Sequence, residues 1–224
     1  MSNIFSPTSS PSLPGPPYTV LSSTSSYEIR SYSPYSAAST TLTAPGESFE
    51  MDDLAAAGAA FNSLAAYIFG ANERKEIMEM TSPVLTTSAG EMLFYVGDGA
   101  PGDYPAPAAS DDPAAPPSPL PPRGGVSVLP VPAATLAVAR FPGFATAGEV
   151  ARRREALLAA LAGDGVEADA RHGGRVPYVV LQYDPPYTLP VVRRNEVGIP
   201  VRWGEGKGEE EEWITELEGP SDTE

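Results

Sequence analysis

The chain has no cysteine and a single histidine, His172, among its 224 residues. Without thiols there is no disulfide framework, no thiolate ligand for a metal or a haem iron, and no cysteine nucleophile. One histidine is too few for a zinc site of the usual His/Cys kind. Any Ser-His-Asp arrangement would have to use that same residue. It stands in a loop rich in Gly, Asp and Arg, where an exposed histidine is the expected role. No apolar run approaches the roughly 18–20 residues of a membrane span. Basic residues are also scarce: 14 Lys and Arg face 29 acids, a net charge of −15. Nine acids and one lysine place −8 of this in residues 205–224, leaving −7 for the rest. Neither part offers the basic patch that nucleic acid requires, and an anionic membrane would repel both. Residues 1–26 hold no Lys or Arg, the first basic residue being Arg30. A secretory signal or an Arg-rich transit peptide is therefore not indicated. The cytoplasm is the expected compartment, and a plastid stays open because such addresses can be cryptic.

Motifs for catalysis are missing as well. Gly97-Asp-Gly-Ala-Pro-Gly102 lacks the Lys-Ser/Thr ending of a phosphate loop and runs into prolines instead of a helix. Carboxylates are plentiful, but no pair is nominated by spacing. No catalytic residue and no metal ligand is assigned, and the chain is expected not to be an enzyme.

What the sequence does contain is one pattern written twice. Residues 27–42 alternate through a break and run into a helical stretch, and residues 126–141 do the same 99 positions later. Each copy continues into an Ala/Leu-rich amphipathic segment and then two further strand-like runs. The expected architecture is α+β, a βαββ unit repeated with pseudo-two-fold symmetry, in which each copy buries its apolar faces against the other. Hydrophobic residues make up 42% of the chain, enough for such a core.

The first helix is read from Leu54, Ala57, Phe61, Leu64, Ala65 and Ile68 at helical spacing. Asp52 and Asp53 favour its start, and Gly70 and Asn72 its end. Residues 76–87 and 92–96 read as strands forming a hairpin around Ala89-Gly90. The second helix runs from about Thr146 to Ala162, with Val150, Leu157, Leu158 and Leu161 as its apolar stripe. Arg152, Arg153 and Arg154 give it a solvated face, with Glu149 and Glu155 as local partners. Residues 176–183 and 194–201 close the second copy.

Three segments lie outside this scheme. Residues 1–26 read as a disordered Ser/Pro-rich arm. Residues 97–125 hold nine of the 26 prolines and read as an exposed, partly polyproline-like linker between halves 27–96 and 126–202. Residues 203–224 read as an acidic tail. Its Trp213, Ile214 and Leu217 behind an acidic run make an acidic-hydrophobic segment able to dock on a protein partner.

Candidate binding residues come from apolar, pocket-building material. Leu54, Phe61, Leu64, Ala65 and Ile68 supply a helix face. Met78 and Met80, two apart, share one face of a strand and also offer soft thioethers. Core packing accounts for the same residues. Arg193 and Arg194 end a turn and suit a carboxylate ligand or a structural salt bridge with Glu196.

Several elements then occur in the order found in the SOUL/haem-binding protein family, which the sequence resembles. They are Tyr27-Glu-Ile-Arg30 with Tyr32, Tyr67-Ile-Phe-Gly-Ala-Asn72 and Met80-Thr-Ser-Pro-Val84. Phe141-Pro-Gly-Phe144, Tyr183-Asp-Pro-Pro186 and Arg193-Arg-Asn-Glu-Val197 follow. The resemblance covers about residues 27–202. It implies a distorted antiparallel β-barrel flanked by two helices. It also implies non-enzymatic, reversible binding of haem or a related tetrapyrrole along the first helix and nearby loops, as a soluble carrier or buffer. Where some members carry an iron-ligating histidine, this chain has Ser31, and residues 51–70 contain no Lys or Arg. No axial residue is assigned, and carboxylates of the ligand would need Lys75, Arg193 or Arg194. A binding module for another small hydrophobic ligand is the alternative, since the barrel resembles, at fold level only, the effector-binding domains of bacterial regulators. A protein-interaction module using the acidic tail is the other.

Overall fold

A computed structural model describes residues 13–43, 52–108, 125–170, 176–185 and 187–204. His172, the central part of the proline-rich linker and the acidic segment around Trp213 lie outside the described residues.

Among the described residues, ten strands and two α-helices follow one another. The first part comprises β1 (Tyr18–Ser23), β2 (Glu28–Tyr32), β3 (Tyr35–Thr41), α1 (Leu54–Ile68), β4 (Val84–Thr87) and β5 (Glu91–Gly97). The second comprises β6 (Ser127–Val131), β7 (Ala134–Phe141), α2 (Ala147–Gly163), β8 (Glu167–Ala168), β9 (Val179–Gln182) and β10 (Asn195–Arg202). All pairings are antiparallel, in the order β1-β2-β7-β10-β9-β4-β5-β3-β6, with β8 attached to the end of β10. The expected α+β class holds. The expected barrel is open, because the order ends at β1 and β6 without a pairing between them.

Read outward from the central β4–β9 pair, one side runs β4-β5-β3-β6 and the other β9-β10-β7-β2. Strands in corresponding roles thus stand at corresponding distances from the centre. The outermost of these are exchanged: β2 pairs with β7, and β6 pairs with β3. Neither helix therefore rests on strands from one stretch of sequence alone.

Strand alternation divides the side chains between two faces. On one face α1 packs Ala60, Leu64, Tyr67 and Ile68 against Ala38, Leu42, Met92 and Phe94. On the same side α2 packs Val150, Leu157 and Leu161 against Ile29, Ala137, Phe141, Val180, Val197 and Ile199. Each fully buried Leu, Ile or Phe of this kind contributes roughly 1.5–3 kcal/mol. On the other face the sheet curls over Tyr35, Ala37, Leu85, Leu93 and Leu181.

The helix ends follow local chemistry. Asp53 caps α1 by accepting from the Ala56 N–H at 2.8 Å, and Thr146 caps α2 by accepting from Glu149 N–H. Gly70, with φ +105°, takes the chain off the end of α1 in a conformation that L side chains avoid. Glu149 pairs with Arg152 and Arg153 as the spacing suggests. Arg154 instead reaches the Val176 carbonyl and lies 5.4 Å over the Tyr178 ring.

Two readings need correction. Residues 18–23, assigned to a disordered arm, form β1 against β2. Gly15 before it lies so close to Ser82 that an added Cβ would stand 2.1 Å from the Ser82 carbonyl oxygen. Residues 76–83, assigned to a strand, are not in one. The backbone of Met78 donates to the Ile68 carbonyl at 2.8 Å, so this stretch is anchored to the helix, and only Val84–Thr87 joins the sheet.

Candidate functional site

The sequence-derived candidates fall into three places. Leu64 and Ile68 are 0% and 2% exposed. They face the sheet as part of the core beneath α1. Phe61, Met78 and Met80 form a half-buried ledge on the same cluster, with Phe61 edge-on to Phe94 at 5.4 Å. Ala65 is half-buried on the same helix. The two methionines both pack on this cluster, carried by an anchored coil and not by the strand that their spacing suggested.

Leu54 belongs to a different surface, at the N-terminal end of α1. Asp52, two residues earlier, accepts from the N–H of Ala147 at 2.6 Å. Phe144 lies three residues before Ala147, so the bond ties the start of α1, where Leu54 stands, to the segment that carries Phe144. The Gly143 N–H in turn donates to the Pro190 carbonyl at 2.9 Å, which ties in the loop between β9 and β10. Leu54, Phe144, Tyr187, Leu189, Val191 and Val192 are each between 54% and 86% exposed. Large apolar side chains that are this exposed and grouped mark an interaction surface. The loop is held by its own turns, Thr188 N–H to Pro185 O and Val192 N–H to Leu189 O. At its base, Arg193 donates from Nε to the Thr188 carbonyl at 2.9 Å. Its guanidinium lies 4.5 Å from the centre of the Phe144 ring. Arg193 is itself 9% exposed, so its guanidinium lies buried against Phe144 rather than open on this surface.

Arg194 points elsewhere. It is engaged by Glu196 at 2.7 Å and stacked 3.8 Å over Tyr183. The salt bridge anticipated for this turn is present. It is also part of something that local reading does not reveal. On the sheet face away from the helices, Arg30 of β2 makes two bonds to the Glu196 carboxylate, at 2.7 and 3.2 Å. The Tyr183 hydroxyl donates to the same carboxylate at 2.7 Å, and Glu28 accepts from Arg30 Nε at 2.8 Å. Arg30 also donates to the Tyr32 hydroxyl at 3.4 Å and sits under the Tyr18 ring of β1. Glu196 is 0% exposed and Arg30 4%.

Burial alone would push the Glu196 carboxyl up. The Arg30 guanidinium, with Tyr183 and Arg194, overrides this and holds it below the usual carboxylate range. Burial likewise opposes the Arg30 charge, and the Glu196 carboxylate more than restores it. Desolvation first, and the Glu196 charge second, push the Tyr183 phenol up. The acceptor sites of Glu196 are filled, so the network locks the strands and leaves Glu196 no free lone pair for a proton. Three of the family-like motifs converge here: Arg30 and Tyr32 from the first, Tyr183 from the fifth, Arg194 and Glu196 from the sixth. Their joint occurrence is the one signal in the sequence that could have found this cluster, since the pairing of Arg30 with Glu196 spans 166 positions.

Among the described residues no group of three or more His, Cys, Asp or Glu is placed to hold a metal. No helix among them is long and apolar enough to cross a membrane.

Fold and surface together define a helix-flanked antiparallel sheet that displays an apolar surface and a neutralised ionic network. The chain belongs to the SOUL heme-binding protein family, whose sequence model matches residues 13–200. No curated protein matches it. Solved structures of related shape include the C-terminal domain of EcmrR, at 10% identity and a TM-score of 0.49 over 79% of this chain and 98% of that one. A hydrolase from Listeria innocua has 10% identity and a TM-score of 0.48 over 81% and 94%. A putative transcription regulation protein from Staphylococcus aureus has 13% identity and a TM-score of 0.41 over 79% and 97%.

Proposed function

We propose that this chain binds haem or a related tetrapyrrole reversibly and without catalysis, as a carrier or buffer. Membership of the SOUL heme-binding family supports the reading. The observation that carries it is the exposed apolar surface of Leu54, Phe144, Leu189, Val191 and Val192 with Arg193 at its base. A flat macrocycle needs apolar contact over its face, which the exposed side chains offer, and positive charge near its carboxylates, for which the buried Arg193 guanidinium behind Phe144 is the candidate. Phe61, Met78 and Met80 extend the apolar ledge along α1. A bound haem would supply an iron centre. The chain's part is to cover the ring face and to balance the carboxylate charge.

Ser31 in place of a histidine leaves ring contact, not iron ligation, as the main source of affinity. Iron-free porphyrin should then bind about as well as haemin. Titration of each into the protein, followed at the Soret band, tests this. Absence of saturable binding at micromolar protein would remove the proposal. A strong preference for haemin would point to an axial ligand.

A second reading is favoured by the lack of basic residues on α1: the surface takes another small hydrophobic ligand. Displacement of porphyrin by unrelated apolar compounds of similar size would support it. The cytoplasm, with a plastid as the alternative, remains the proposed location, and docking of the acidic tail on a partner protein is a separate proposal.

A further inference from the structure

At the end of the sheet edged by β6, Pro34, Tyr35, Pro101, Pro130 and Pro132 line an open groove of about 400 Å³. Asp98 stands at its rim, and no basic side chain lines it. A neighbouring hollow shares Pro101 and is bounded by Tyr104, Pro105, Ala106 and Pro107. That second hollow shows how this surface treats a proline-rich chain. The Tyr67 hydroxyl donates to the Pro105 carbonyl at 2.7 Å, and the Glu73 N–H donates to the Ala106 carbonyl at 2.9 Å. A Pro-Ala-Pro stretch is thus held through its carbonyls, the groups that a polyproline helix leaves free.

The first groove shares one of these groups, a tyrosine hydroxyl, and has no chain in it among the described residues. Tyr35 packs against Tyr95 at 5.7 Å, and its hydroxyl has no hydrogen-bond partner among the described residues. Burial pushes the Tyr35 phenol up to about 12, so it stays a donor at neutral pH. Asp98 uses one carboxylate oxygen to accept from the Tyr95 hydroxyl at 2.7 Å, which leaves the other for a cation. We infer that this groove docks a proline-rich segment of a partner protein in polyproline conformation, with the Tyr35 hydroxyl donating to a ligand carbonyl and Asp98 pairing with a flanking Arg or Lys. Proline faces against tyrosine and proline walls supply contact at low entropic cost. The acid at the rim selects a basic neighbour.

The test uses a fluorescent octapeptide, Pro-Pro-Ser-Pro-Leu-Pro-Pro-Arg, with prolines at three-residue spacing so that they share one face of the helix. Its anisotropy is measured against the full chain. Saturable binding is expected, weakened about five-fold or more by Tyr35→Phe, which removes only the hydroxyl. Asp98→Lys should abolish the preference for this peptide over one ending in Glu. The proposal falls if no binding occurs up to millimolar protein, or if neither variant changes the affinity. Binding that appears only after residues 109–124 are replaced by Gly and Ser would assign the groove to the chain's own segment and overturn the partner. These outcomes are distinguishable from tetrapyrrole binding at Phe144, because Pro130–Pro132 of the groove precede β7 and Phe144 follows it, beyond opposite ends of that strand.

Discussion

Replacing Arg30 with alanine should destabilise the protein severely, and for a reason visible in one carboxylate. Arg30→Ala strips two of the charge-assisted bonds from Glu196, a group with no exposure of its own. Removing one partner of a buried ion pair costs about 3–5 kcal/mol, because the other charge stays buried. Arg194 and Tyr183 still reach the carboxylate, but the Arg194 side chain is a third exposed and its pull is screened by water. The loss should therefore lie near the lower bound, at about 3 kcal/mol. For a domain of this size that corresponds to a fall in Tm of about 6–12 °C. Urea unfolding followed by far-UV circular dichroism measures it directly.

The pH dependence has a definite sign. In the parent, the folded pKa of Glu196 lies below its unfolded value. Its contribution is present at neutral pH and is lost as pH falls through the lowered folded value. In the variant the main lowering influence is gone and burial pushes the carboxyl up, so protonation on acidification relieves the variant. The gap between the two proteins should narrow as pH falls. Arg30→Met combined with Glu196→Leu should recover at least half of the loss, since both charges leave together. A loss below about 1 kcal/mol, or a double variant no better than the single one, would refute the claim that a buried charge governs this cluster.

Two further outcomes follow from other contacts. Gly15→Ala should force the segment before β1 away from Ser82, whose N–H donates to the Pro14 carbonyl. A cost of about 1–3 kcal/mol and faster exchange of the Ser82 amide are expected, whereas unchanged exchange would show that the segment gives way freely. Arg193→Ala should weaken haemin several-fold while leaving its dimethyl ester, which lacks the carboxylate charges, nearly unaffected. Equal losses for both ligands would mean that Arg193 acts only by supporting Phe144.

Much of the fold was readable because its signals are local. The apolar spacing from Ala57 to Ile68, the capping Asp53 and the stop at Gly70 lie within one stretch, and the helix ends where they say. Gly90, with φ +82°, marks the hairpin between β4 and β5 in the same way. Tyr18-Thr-Val-Leu escaped notice because flanking prolines and serines hid a short strand whose only partner is β2. Met78 and Met80 show the converse error. Alternation suggested a strand, but bonds from Glu76 to Asn72 and from Met78 to the end of α1 hold the stretch off the sheet. The surface around Phe144 is assembled from segments near 54, 144 and 190, which long-range contacts such as the bonds of Asp52 and Gly143 tie together. The spacing of candidates along α1 could not separate Leu64, consumed by the core, from Leu54, left outside it.

The exchange of β2 and β6 across the sheet has a consequence for how such a protein can change over evolutionary time. Each helix lies on a floor partly supplied from the far side of the chain, so a substitution that loosens one floor is felt beneath both helices. Drift toward a new ligand therefore has its freest play in the loops and at the exposed end of α1. The strands beneath must change in concert or stay as they are.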